Sequence, residues 1–166
     1  PGLVAIGECG LDAYWTTDHF EEQERVFRAL CRIAVRHDKP MILHTRKAEE
    51  RSFEILVEEG VERANFHCFG GKSRLAQQIA ERGYYFSIPP VAERAENFRA
   101  LARKLPMSCL LTETDAPYMA ADRGERNEPS EIPRAVAAIA DVRGMTVEAV
   151  RSAVAANFER LFRVAV

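Results

Sequence analysis

The sequence has no apolar run near the ~18 to 20 residues that a membrane span requires, and no charged-then-apolar signal segment. Both absences point away from a bilayer and from secretion. Charge of one sign is also lacking. With 23 Lys and Arg against 25 Asp and Glu, the formal charge is −2, so nothing global attracts nucleic acid and phosphate recognition must come from local arginines or bound metal. The four cysteines (Cys9, Cys31, Cys68, Cys109) form no C-x-x-C pair. In a chain of 166 residues with 47% hydrophobic content, one sizeable core needs no disulfide staples, so these read as reduced thiols in a cytoplasmic protein. A Gly-rich nucleotide loop is missing as well, because Gly7-Glu8-Cys9-Gly10 lacks the fingerprint spacing.

Strand and helix signals alternate strictly. Leu3-Val4-Ala5-Ile6-Gly7-Glu8 is an apolar run ending on a carboxylate, as expected of a strand buried on both faces. From Asp18, with Glu21 as its capping partner, Phe20, Phe27, Leu30 and Ala34 recur at helical spacing up to the His37-Asp38-Lys39-Pro40 breaker. Met41 to His44, Ala64 to His67, Tyr84 to Ile88 and Cys109 to Asp115 predict four further strands. Helices are predicted over Ala48 to Glu59, Ser73 to Arg82 and Glu93 to Lys104, and a closing pair over Ser130 to Arg143 and Thr146 to Arg163. Alternation of this kind implies a parallel α/β sheet, either open and doubly wound or a β/α barrel. Five units fall short of the eight strands and ~250 residues typical of a closed barrel.

In parallel β/α proteins, functional groups gather at the carboxyl ends of strands. Here four predicted strands end on metal-ligand types: Glu8, His44, His67 and Asp115. Any one of them has a structural explanation. Together, two imidazoles and two carboxylates supply the nitrogen and oxygen donors that Zn²⁺, Mn²⁺ or Fe²⁺ prefer. Period-two alternation places Leu111, Glu113 and Asp115 on one strand face, and Ile42, His44 and Arg46 on another. Glu113 then either orients a ligand histidine or is satisfied by an interior Arg or Lys. His19 and His37 flank a helix, where solvated or capping roles suffice, and Cys9 and Cys68 fall on the faces opposite their ligand-type neighbours.

The segments Ile6 to Asp12, Pro40 to Arg46, His67 to Gly71, Thr112 to Tyr118, Arg123 to Pro129 and Asn157 to Phe162 together resemble the successive motifs of TatD-type metal-dependent deoxyribonucleases, in register over the whole chain. The resemblance implies a parallel β/α (TIM-type) barrel of the amidohydrolase kind, carrying two divalent ions (Zn, Mg or Mn) and hydrolysing DNA phosphodiester bonds. Carried over residue by residue, Glu8 bridges two metals and His44 and His67 complete the second position. Asp115 binds the first metal and helps deprotonate its water, while Arg46, Arg123 and Asn127 contact substrate. One departure is plain: the His-x-His motif of the family's first strand is absent from this sequence. Residues 1–166 are therefore expected to be a single catalytic-type domain lacking about three front strands, with an open barrel edge suited to self-association. Two other readings remain: a metallo-amidohydrolase of different substrate, and a catalytically weak metal-binding or subunit-interaction fragment. A metal-free isomerase using Glu8 and one histidine would leave the second histidine and Asp115 without work.

Overall fold

The computed structural model describes residues 2–15 and 17–165, which fall into two compact units, the first running to Tyr85 and the second from Phe86. In the first, β1 (Ile6–Asp12), β2 (Met41–Arg46) and β3 (Ala64–Phe66) lie parallel in that order, each followed by a helix: α1 (Phe20–Arg36), α2 (Glu49–Glu58) and α3 (Ser73–Glu81). The α1 face toward the sheet is Phe27, Cys31 and Ala34, at the i, i+4, i+7 spacing that fixes one helical stripe. Also fully buried are Met41, Leu43 and Phe66 of the strands, Ile55 and Leu56 of α2 and Ala76 and Ile79 of α3. Helix α1 opens at Phe20, after Asp18, with His19 and His37 at its two capping positions.

The first strand begins later and runs further than its apolar run suggests, so Glu8 lies within it and Asp12 ends it. The register is irregular between Ile6 and Cys9, then regular as Cys9, Gly10, Leu11 and Asp12 face Leu43, His44, Thr45 and Arg46. Gly10 permits this. Its φ of 150° lies outside the range of ordinary side chains, and a Cβ here would come within 1.9 Å of the His44 carbonyl oxygen.

Burial closes the chemistry of the unit's interior. Desolvation pushes the Cys31 thiol up to about 12 and the Cys9 thiol to about 11, so both stay protonated. Tyr84 is fully buried, yet its hydroxyl donates to the Val61 carbonyl at 2.5 Å, which satisfies the polar tip of an otherwise apolar ring.

The second unit pairs β4 (Tyr85–Ile88) with β5 (Leu110–Thr112) in parallel and surrounds them with α4 (Glu96–Lys104), α5 (Ile132–Arg143) and α6 (Val147–Phe162). Pro89-Pro90 ends β4 as expected and starts a short 3₁₀ turn. Gly144, at φ 61°, closes α5, and the Thr146 hydroxyl caps α6 by accepting from the Ala149 amide at 3.2 Å. Buried Asn157 ties α6 to the start of β5, donating to the Met107 and Leu110 carbonyls at 2.7 Å each.

Strand β5 is shorter than the predicted Cys109 to Asp115. The Glu113 amide still donates to the Ile88 carbonyl at 3.2 Å, but Asp115 has a left-handed φ of 57°. Strand alternation therefore does not reach Asp115, and the shared face of Leu111, Glu113 and Asp115 ends with the strand. Among the described residues no helix is long and apolar enough to cross a membrane.

Gly10→Ala is expected to destabilise the protein by at least the roughly 1–3 kcal/mol of an overpacked core site, since the intruding atom meets backbone that cannot rotate away. Urea denaturation of the two proteins checks this; an unchanged midpoint would mean that β1 does not pass His44 this closely.

Candidate metal centre

Three of the expected site residues meet in the first unit. Glu8 Oε1 lies 3.2 Å from His44 Nδ1 and 3.6 Å from His67 Nε2. Parallel pairing produces the meeting: β1 lies beside β2, which carries His44, and β2 beside β3, after which His67 follows at once with its amide donating to the Leu43 carbonyl at 3.1 Å. Both separations are long for hydrogen bonds between charged partners. They suit donors sharing a cation, since two ligand atoms each ~2.0–2.1 Å from a tetrahedral zinc stand roughly 3.3 Å apart. The donor set of one carboxylate and two imidazoles fits a borderline divalent ion.

The other ring nitrogen of His44 is also committed. Asp12 Oδ2 stands 2.9 Å from His44 Nε2, while Asp12 Oδ1 accepts the amides of Tyr14 at 2.8 Å and Trp15 at 3.2 Å. Burial alone would raise the Asp12 carboxyl, but the His44 ring and the two amides outweigh it and hold it below the usual carboxylate value. An ionised carboxylate on Nε2 would keep the proton there and leave the Nδ1 lone pair for a cation shared with Glu8. This is how a carboxylate behind a ligand histidine selects its tautomer. The sequence reading missed Asp12. A signal existed: Asp12 ends the same quoted segment as Glu8, four residues on, the spacing that returns to one strand face.

The remaining expected residues take varied places. Arg46 ends β2, exposed, with its guanidinium carbon 3.8 Å from the Tyr14 ring centroid. Glu113, in the second unit, accepts the Ser87 hydroxyl at 2.5 Å. Asp115 and the exposed Arg123 lie on the long segment between β5 and α5.

Asn127, expected at the substrate, is bonded within its own segment. It is 1% exposed, its amide nitrogen donates to the Thr114 and Tyr118 carbonyls, and its oxygen accepts the Glu128 amide at 3.0 Å. With every donor spent, its side chain holds the segment that carries Asp115. Arg94, donating to the Ala121 carbonyl at 2.7 Å, and Arg134, bridging Glu93 and Asp122 at 2.6 and 2.5 Å, pin the same segment further along.

A family model described as TatD related DNase matches residues 1–163. The chain is 35% identical over 164 residues to human deoxyribonuclease TATDN3, covering 96% of this chain and 60% of that protein. It is 36% identical over 168 residues to an uncharacterized metal-dependent hydrolase of Bacillus subtilis (strain 168), YabD, covering 98% and 66%. Among solved structures it resembles YJJV, a TatD homologue from Escherichia coli K12, with a TM-score of 0.87 and 31% identity over 98% of this chain and 64% of that one. It thus spans about three fifths of the length of these relatives. Its fold class is the parallel β/α fold of that TatD homologue. The family match over nearly every residue, with identities above 30% to curated relatives, shows that the chain belongs to the TatD related DNase family.

Proposed function

We propose that this chain carries much of the catalytic centre of a metal-dependent deoxyribonuclease that hydrolyses phosphodiester bonds. The observation that supports this most directly is the approach of His44 Nδ1 and His67 Nε2 to one oxygen of Glu8, with Asp12 behind His44. Glu8, His44 and His67 would hold one divalent ion, of the Zn, Mg or Mn type. The family resemblance gives a second position to Glu8, Asp115 and the His-x-His pair that this sequence lacks. Bound divalent ions supply a nucleophilic water and neutralise charge on the phosphate.

The protein's own groups do the rest. Asp12 holds the Nε2 proton of His44 and fixes its ring. Asp115 accepts the proton of the attacking water. Arg46 and Arg123 present guanidinium groups suited to phosphate oxygens, and Glu113 keeps the end of β5 in place through Ser87. Buried Asn157 and Asn127 keep the backbone before and after β5 in register. No disulfide joins the four cysteines among the described residues and two of them are buried, which fits a reducing compartment, and we place the protein in the cytoplasm. Leu3 and Val4, 68% and 52% exposed, lead into β1, whose outer edge has no strand partner among the described residues. Self-association through that edge follows from its open backbone groups.

Metal titration by calorimetry is expected to show affinity falling sharply in His44→Ala and His67→Ala, by roughly 10- to 100-fold in Asp12→Asn, and least in Asp115→Ala. Equal losses in all four would contradict the assignment of Asp115 to a different position. In light scattering, self-association is expected to grow with concentration and to fall when Leu3 and Val4 are replaced by lysine; a monomer at all concentrations would remove the edge from consideration. Nucleotide release from DNA should be weak for this chain by itself and should rise when a His-x-His strand of the family is placed before it. Chelator, His44→Ala or Asp115→Ala should each abolish most of that release. A joined protein that binds metal but leaves DNA intact would sink the nuclease reading.

A further inference from the structure

The turn after β1 holds two aromatic rings out in solvent beside the candidate metal centre. Tyr14 is 51% and Trp15 74% exposed, and their rings stand edge to face with centroids 5.0 Å apart. Large aromatic side chains usually cover something. These do not belong to a loose loop. Asp12 Oδ1 accepts both of their amides, the Ala13 amide donates to the Arg46 carbonyl at 2.9 Å, and Gln23 clasps the Asp12 backbone from both sides at 2.8 and 3.0 Å. Arg46 completes the surface, with its guanidinium carbon 3.8 Å from the Tyr14 centroid and 5.2 Å from that of Trp15. The same Asp12 carboxylate that fixes this turn holds His44 Nε2 at 2.9 Å. Rings and metal-ligand candidates are therefore fixed relative to one another through a single side chain.

We propose that the exposed ring of Trp15, braced nearly at right angles by Tyr14 and with Arg46 beside it, forms a stacking platform for one unpaired nucleobase of the DNA strand whose phosphate is presented to the candidate metal centre. The proposal rests on the nuclease reading for the identity of the strand. Its chemistry is that of single-strand recognition: a flat π-face for the base and a cation for the adjoining phosphate. Stacking accepts every base, so the platform selects for single-strandedness and not for sequence, because a base inside a duplex has both faces covered. Trp15, braced by Tyr14, thus adds a base-binding role next to Arg46, whose position on the rings orients its charge toward the strand.

Trp15 is the single tryptophan of the sequence and reports on its own occupancy. The chain, kept in chelator so that no hydrolysis occurs, is titrated with a short single-stranded oligodeoxythymidylate while Trp15 fluorescence is followed. Saturable quenching is expected, absent with an abasic strand of the same length and with a blunt duplex of that length. Tyr14→Ala should weaken binding by roughly tenfold. With a labelled strand read by anisotropy, Trp15→Ala should weaken binding to a similar degree and Trp15→Phe should restore most of it. Equal quenching by the abasic strand, unchanged affinity in Tyr14→Ala, or no response to the oligonucleotide at all would each overturn the platform. Hydrolysis by the joined protein without base-dependent quenching sinks the platform alone, whereas base-dependent quenching without hydrolysis sinks the nuclease reading and leaves a base-binding surface.

Discussion

The carboxylate of Asp12 is shared between two parts of the molecule that would otherwise be independent. One oxygen fixes the His44 ring, and the other gathers the amides of the exposed Tyr14-Trp15 turn. A carboxylate can serve both because its two oxygens accept in different directions and the charge strengthens each bond. The direction of His44 Nδ1, its approach to Glu8 and the placement of Arg46 over Tyr14 follow from where Asp12 sits. Its own position depends on β1 continuing past Gly10, where only a missing side chain lets the strand lie against the His44 carbonyl.

The second unit solves a related problem by other means. Its expected acid, Asp115, lies beyond the last strand in a segment that no regular ladder supports. Side chains do the supporting. Asn127 gathers two carbonyls, Arg94 takes a third, and Arg134 bridges Glu93 and Asp122. The Arg134 guanidinium beside it holds the Asp122 carboxyl below its usual value. Such multiple anchoring gives an irregular loop the order that a site residue needs.

Much of the architecture was legible in one dimension. Helical stripes such as Phe27, Cys31 and Ala34, and breakers such as Pro89-Pro90 and Gly144, act through local sterics and local burial, so their elements appear within a few residues of where periodicity puts them. Strand limits were less legible. The apolar run before Glu8 does not reveal that pairing continues to Asp12, since that depends on how closely β2 can approach glycine. The left-handed backbone at Asp115 likewise broke an alternation that held only while the strand lasted.

By itself, the sequence determined the parallel strand and helix order, and the placing of Glu8, His44 and His67 in or just after successive strands. Residue types and spacing act locally, and parallel connections bring such positions together. Only the tertiary structure decided that Asp12 stands behind His44, 32 residues away, and that Asn127 is consumed in holding a loop. The physical reason is that a polar side chain's role is set by which partners lie within hydrogen-bond reach once water is excluded. That set is assembled by packing between distant segments, so spacing along one strand can bring a residue such as Asp12 to the right face but does not name its partner.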